Sequence, residues 1–151
     1  MSDIALRAAD EDDVRAFWAW RNDESARAAS FSPEPVPFEQ HERWYRERLA
    51  DPHTLLYVVV GPDAQPVGYV RFALAGGEAE ISIALDASTR GRGYGTAAID
   101  RGCEALLRGG LANRIVARVK LGNEISRRAF LRAGFVERVR SDDALELVRI
   151  A

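Results

Sequence analysis

The sequence predicts a single α/β domain: a central mixed sheet of six or seven strands flanked by about four helices. Three observations carry that prediction. A chain of 151 residues suits one domain, and a domain of that size buries roughly 70% of the surface its unfolded chain exposes. Short apolar segments of strand length alternate with longer segments of helical period, in the order β-α-α-β-β-β-α-β-α-β-β. Residues 81–99 read as strand, glycine-rich turn and helix, and the rest of the chain is arranged around that stretch.

Residues 4–8 open as a short strand. Asp10 is placed to cap a helix running to about Arg21, with Glu11, Asp12 and Asp13 in its first turn, where negative charge meets the positive helix end. Val14, Phe17, Trp18 and Arg21 share one face of that helix, and the first three are expected in the core. Trp20 points elsewhere, either packing under the next loop or lining a pocket. Residues 22–37 are turn-rich, and Pro33, Pro35 and Pro37 forbid a regular helix there. A second helix over 38–49 presents Trp44 and Leu49, with Gln40, His41 and Arg48 around them, and Asp51-Pro52 ends it. Strands follow at 54–60 and 67–74, joined by a turn at 61–66, and Gly76-Gly77 leads into a third at 78–85.

In that third strand Ile81, Ile83 and Leu85 alternate with smaller or polar residues. Gly91, Gly93 and Gly95 then leave three positions without Cβ, free to take positive φ and to let a ligand approach the backbone. Helical spacing of Ile99, Cys103 and Leu106 begins from Thr96. The turn's N–H groups and the positive end of the helix converge where Arg90 and Arg92 add charge, a site for an anion such as pyrophosphate. Two familiar anion loops do not match. The dinucleotide fingerprint needs a glycine where Thr96 stands, and the P-loop needs a lysine this loop lacks.

Gly109-Gly110 stops the helix, 114–119 forms a further strand, and a short helix over 125–133 ends at Gly134, a left-handed position. A hairpin of 135–140 and 145–150 turns about Asp142-Asp143. No repeat, low-complexity tract or linker divides the chain, so residues 1–151 are expected to form one domain.

Composition excludes several classes. Apolar content of 47% and charged content of 29% are ordinary for a globular protein. One cysteine permits no internal disulfide and two histidines offer no metal cluster, so no metal and a reducing compartment are expected. The opening Met-Ser-Asp-Ile lacks a basic region followed by an apolar run, and the apolar run 55–60 is strand-sized. A cytoplasmic protein without membrane contact is the expectation.

The segment Arg90-x-x-Gly93-x-Gly95 resembles the [Gln/Arg]-x-x-Gly-x-[Gly/Ala] signature of the GNAT superfamily of N-acetyltransferases. A second segment, Asn123-x-x-Ser126-x-x-x-Phe130-x-x-x-Gly134-Phe135, resembles the family's Asn-x-x-[Ala/Ser]-x-x-x-Tyr-x-x-x-Gly-Phe. The predicted element order is also the family's, so the resemblance covers the whole chain. It implies the GNAT fold, acetyl-CoA as co-substrate and direct attack of a primary amine on the thioester. Arg90, Gly91, Arg92, Gly93, Tyr94, Gly95 and Thr96 would cradle the pyrophosphate. Asn123, with Ser126 and Phe130, would meet the cofactor from the next helix, and Asn123 reads equally as a helix cap. In the family the strand before the loop splays from its neighbour, often at a bulge. Carried over, Ile83, Ala84 and Leu85 supply backbone bonds in the gap, and an N–H near Ala84 polarises the acetyl carbonyl. Glu80 stands where several members hold a general base, on the strand face that also carries Ser82. Phe130 departs from the pattern: many members have a tyrosine there to protonate the thiolate, and a phenyl ring donates no proton.

Charge is divided along the chain. Residues 1–51 hold 12 acidic and 7 basic side chains, residues 90–132 hold 3 acidic and 10 basic. A nucleic-acid binder would add exposed aromatics or a reading helix to such a basic segment, and the phosphates of CoA are a sufficient polyanion. The acceptor end is carried by Trp20-Arg21-Asn22-Asp23, Ser30-Phe31 and Glu39-x-x-Glu42-x-Trp44. These are similar to the branch that acetylates nucleotide-linked amino sugars, including the pseudaminic-acid pathway enzyme, and more loosely to acetyltransferases of ribosomal-protein N-termini. Trp20 or Phe31 would stack on a base or sugar, with Arg21 or Arg27 facing a phosphate and Asn22 and Ser82 beside them. The expected partner is a small-molecule amine, not nucleic acid, and a homodimer stays open. A protein N-terminal acetyltransferase and a non-catalytic acyl-CoA sensor are the alternatives.

Overall fold

Period-2 alternation through the middle of the chain produces the sheet. The computed structural model describes residues 3–151. Its strands β1 (Ala5–Ala8), β2 (Thr54–Val60), β3 (Pro66–Ala75), β4 (Glu78–Leu85), β5 (Arg114–Lys120), β6 (Val136–Arg140) and β7 (Ala144–Ile150) form one sheet in the order β1-β2-β3-β4-β5-β7-β6. Every neighbouring pair is antiparallel except β4 and β5, which run parallel and are joined across the sheet by α4 (Tyr94–Arg108). The remaining helices are α1 (Val14–Asn22), α2 (Glu24–Ala29), α3 (Phe38–Ala50) and α5 (Glu124–Arg132).

The sheet buries both faces. Val70, Phe72, Ile81, Ile115 and Leu147 meet Ile99, Cys103 and Leu106 of α4 and Phe130 of α5 on one side. Leu56, Val58 and Tyr69 meet Phe17 and Trp20 of α1 and Tyr45 of α3 on the other. β4 lies between the two cores. Ala79, Ile81, Ile83 and Leu85 pack toward α4, while Ala84 packs toward α1 and α3. Burial pushes the Cys103 thiol up to about 12, so it behaves as a small apolar side chain.

Three expectations need correction. Helix α2 falls in the segment read as turns: the Asp23 carboxylate accepts from the Ser25 and Ala26 N–H groups at 3.1 and 3.3 Å, and this cap starts a helix that ends before the prolines. The buried face of α1 is Phe17 and Trp20, with Val14 and Trp18 only half-buried. Phe17 stacks on Tyr69 at 4.6 Å, whereas Trp18 donates its indole N–H to the Val36 carbonyl at 2.8 Å and pins the proline loop. On α3 the buried pair is His41 and Tyr45 rather than Trp44 and Leu49. Each polar tip finds a backbone acceptor: His41 Nε2 donates to Val14 at 2.9 Å and the Tyr45 hydroxyl to Asp10 at 2.7 Å. A buried polar side chain so satisfied loses little on desolvation.

The Asp10 cap is as expected. Its carboxylate accepts from the Asp12 N–H at 2.9 Å, and Asp13 returns the bond to the Asp10 N–H at 2.9 Å. Arg7 grips Asp13 through two 2.8 Å bonds and holds that carboxyl below its ordinary range. Among the described residues no helix is long and apolar enough to cross a membrane, and no three side chains gather as metal ligands.

Candidate active site

The site begins where two parallel strands separate. β4 and β5 are register partners only at Glu78–Arg114, Ala79–Ile115 and Glu80–Val116. Beyond that point β4 stays paired with β3 as far as Leu85–Gly68, and β5 stays paired with β7 as far as Lys120–Ala144. Each strand follows its outer neighbour, and the right-handed twist carries them apart. The β3–β4 register is continuous, so the opening forms without a bulge. An ideal Cβ on Gly68 would lie 2.3 Å from the Ala84 carbonyl oxygen, and the Asp86 N–H donates to Val67 at 2.7 Å. The even-numbered peptides of β4 therefore face β3. Alternation turns the N–H and C=O groups of Ile83 and Leu85 toward the opening. The donor expected near Ala84 thus falls one residue to either side.

At the end of β4 the Asp86 carboxylate caps a single turn, accepting from the Ser88 N–H at 2.9 Å and its hydroxyl at 2.8 Å. These bonds hold the Asp86 carboxyl below its ordinary range, with a smaller contribution from the Trp20 indole. Gly91 and Gly93 take φ of 78° and 76°, while Gly95 lies within α4 and needs no positive φ. Gly93 is the left-handed cap of α4 and, having no side chain, makes no capping bond to the first N–H groups of that helix. A Cβ at Gly91 would meet nothing within 4 Å. Uncapped donors, no acidic residue in the first turn and open space together fit a phosphate group. Gly93, Thr96, Ala97 and Asp100, with Arg132 from α5, line an open groove beside it. Arg90 reaches the other way, pairing with Asp23 at 3.4 Å and bonding the Ser25 hydroxyl at 3.1 Å, so it ties the loop to the start of α2. Arg92 is exposed and Tyr94 half-buried at the helix start.

On α5 the Asn123 side chain accepts from the Ser126 N–H at 3.3 Å, the capping role read from the sequence. Phe130 is 4% exposed, edge-on to Phe135 with centroids 5.1 Å apart. Its ring belongs to the core beneath the site.

The acceptor-side residues separate into two groups. Trp20 is 7% exposed among Phe17 and Tyr69, so it packs in the core between α1 and the sheet. Asn22 has both ends of its amide engaged, Nδ2 donating to Trp18 at 3.0 Å and Oδ1 accepting from Val36 at 2.7 Å. Arg27 Nε donates to the Asn22 carbonyl at 3.0 Å. These three hold the frame. The second group faces the opening or its rim. Glu80 is exposed and Ser82 half-buried on the same face of β4, with Arg71 of β3 the register partner of Ser82. Phe31 is 42% exposed with the Arg118 guanidinium 5.4 Å from its ring centroid, and Lys120 Nζ bonds the Ala28 carbonyl at 3.1 Å. Arg21 lies over Trp44 and its Nη1 is 3.4 Å from His41 Nδ1. Sequence reasoning did not single out Arg71, Arg118 or His41 as site residues. Arg71 and Arg118 each place a cation inside an otherwise apolar strand, which is the signal that would have found them.

This combination of a splayed β4–β5 pair, a glycine turn and an uncapped helix start defines an acyl-CoA-binding fold. The chain belongs to the GNAT acetyltransferases: the family described as "Acetyltransferase (GNAT) domain" matches residues 3–136. It is an N-acetyltransferase that uses acetyl-CoA as co-substrate. No curated protein matches the chain. Among solved structures, the spermidine N-acetyltransferase of Vibrio cholerae with CoA and spermine matches with TM-score 0.87 at 20% identity, over 97% of this chain and 95% of that one. AAC(6′)-Ib with paromomycin and acetyl-CoA matches with TM-score 0.85 at 20% identity, over 97% of this chain and 93% of that one. A chimera of the Vibrio cholerae spermidine enzyme and hSSAT matches with TM-score 0.86 at 19% identity, over 99% and 96%. At these identities the likeness is one of fold.

Proposed function

We propose that the acceptor is a primary amine on a nucleotide-linked sugar or a similar phosphate-bearing small molecule. The charge of the acceptor face carries this reading. Arg21, Arg71 and Arg118 meet that face from α1, β3 and β5, while Glu78 on β4 is already paired with Arg114 at 3.4 Å. Glu80 remains as a carboxylate of β4 with no ion pair among the described residues. A polyamine acceptor would meet repulsion from the three guanidinium groups, whereas a phosphate would be held by them.

Bound acetyl-CoA supplies a thioester carbonyl carbon that an amine attacks. Gly91, Gly93 and the first N–H groups of α4 bind its pyrophosphate. The N–H of Ile83 or Leu85, turned into the opening, donates to the oxygen that gains negative charge. Glu80 removes a proton from the acceptor ammonium, directly or through water. Ser82 orients the acceptor beside it, and Phe31 supplies an apolar surface at the rim. Collapse of the tetrahedral intermediate breaks the C–S bond and leaves the amide; Phe130 donates no proton, so the departing thiolate takes one from solvent or from the protonated nitrogen of that intermediate.

A competition assay tests the reading. Labelled acetyl-CoA is offered with a UDP-linked amino sugar, spermidine and a short peptide, and label is expected on the sugar nucleotide. Label on the peptide or on spermidine alone would overturn the assignment.

A further inference from the structure

Two guanidinium groups share one indole on the acceptor face. The Arg21 guanidinium carbon lies 4.7 Å from the Trp44 ring centroid and that of Arg71 lies 5.3 Å from it. The three side chains come from three different elements: Arg21 from the end of α1, Arg71 from the middle of β3 and Trp44 from α3. Neither cation pairs with a carboxylate among the described residues. Arg21 contacts the ring nitrogen of His41, and the buried Arg71 Nε has no hydrogen-bond partner. His41 is committed by its other bond. Nε2 must donate to the Val14 carbonyl, which leaves Nδ1 as an acceptor that can hold Arg21 but cannot neutralise it.

Like charges gathered in partly desolvated surroundings repel: burial lowers the pKa of Arg21, and the neighbouring Arg71 adds a smaller shift in the same direction. The indole offsets part of this through cation–π attraction. A guanidinium stays charged at any physiological pH, so deprotonation cannot relieve the repulsion. An anion between the two groups would.

We infer that Arg21 and Arg71, set around Trp44, form a phosphate subsite for the acceptor, with His41 as the residue that positions Arg21. Because Arg71 is the register partner of Ser82, the subsite adjoins the β4 face that carries Glu80. It lies on the side of the sheet opposite α4 and is separate from the pyrophosphate loop. The inference rests on the acceptor reading above and makes it specific: the acceptor's phosphate binds Arg21 and Arg71.

The experiment is calorimetric titration of the CoA-saturated protein with UDP, so that the glycine loop is already filled. UDP should bind, and uridine should bind at least ten-fold more weakly. Arg71→Gln and Arg21→Gln should each weaken UDP by about ten-fold or more, as expected for loss of a charge-assisted contact. Arg71→Lys, which keeps the charge and loses the fork, should fall between wild type and Arg71→Gln. His41→Gln should weaken UDP less than Arg21→Gln does. Arg46→Gln, on the exposed side of α3, should leave it unchanged. Near-UV circular dichroism checks that each variant is folded. UDP affinity unchanged in folded Arg21→Gln and Arg71→Gln variants would overturn the subsite, as would no UDP binding by the wild type. UDP held at Arg71 without acetylation of a UDP-linked amino sugar would sustain the subsite and sink the acceptor reading. Sugar-nucleotide acetylation with a KM indifferent to Arg71→Gln would do the reverse.

Discussion

Glu80 and Val116 are the last register partners of β4 and β5; past them the two strands part while each keeps its outer neighbour. Glu80 therefore sits at the apex of the opening, on backbone paired on both sides and next to the stretch of β4 that β5 no longer meets.

Glu80→Gln should cut kcat by about 10²–10⁴-fold at neutral pH. Activity should recover in part as pH rises and the amine loses its proton unaided. The check is a pH profile of kcat for both proteins with the acceptor at saturation. Wild-type turnover across the whole range would make Glu80 only a strand residue.

Gly93 caps α4 with φ of 76°, a conformation a β-branched residue adopts only under strain. Gly93→Val should abolish CoA binding in a calorimetric titration, because it distorts the turn and places side-chain bulk at the helix start. Arg108→Ala, at the exposed far end of the same helix, should change affinity by less than two-fold or so, within the usual effect of a surface substitution.

Phe130→Tyr would restore the phenol that many family members carry. The ring is 4% exposed and packed on Phe135, so a hydroxyl there enters the core. An unsatisfied buried hydroxyl costs about 1–3 kcal/mol, and Tm should fall by roughly 2–4 °C for each kcal/mol. kcat should stay within a few-fold. A large acceleration would show that the hydroxyl reaches the leaving thiolate and that the native protein lacks a useful acid.

His41 is wholly buried, and desolvation lowers its pKa from 6.5. The unfolded chain takes up a proton on this side chain as pH falls through about 6.5, while the native state resists it. The contribution to stability is therefore complete above that pH and is lost progressively as pH drops toward the lower native pKa. Thermal unfolding of wild type and His41→Gln at pH 7.5 and pH 5 should show the wild type losing more Tm on acidification than the variant. Nitrogen NMR should find the Nε2–H tautomer at pH 7, since Nε2 faces the Val14 carbonyl.

Local chemistry determined much of this protein. The alternation of Ile81, Ile83 and Leu85, the glycine turn, the Asp10 cap and the Asn123 cap each depend on neighbours in sequence, and the structure has strands, turn and caps at those places. The two GNAT motifs are likewise continuous segments, so the family, and with it acetyl-CoA as co-substrate, was legible in the chain alone. Tertiary structure decided what lies across the sheet. Whether Trp18 or Trp20 turns inward depends on where Tyr69 of β3 comes to rest. His41 reads as a polar flank of α3 until the Val14 carbonyl and Arg21 meet its two nitrogens. Asp23 caps α2 through its own neighbours, but becomes the partner of Arg90 only once residues 67 positions apart are brought together. Alternation along β4 could be read in advance, but the direction of its peptides follows from pairing with β3, which moved the opening-facing groups to Ile83 and Leu85. Arg21, Trp44 and Arg71 belong to three separate elements, and hydrophobic periodicity carries no information about which cations will share a ring. Contacts within a turn or a helix cap are set by chain geometry; contacts between elements depend on how the whole core packs.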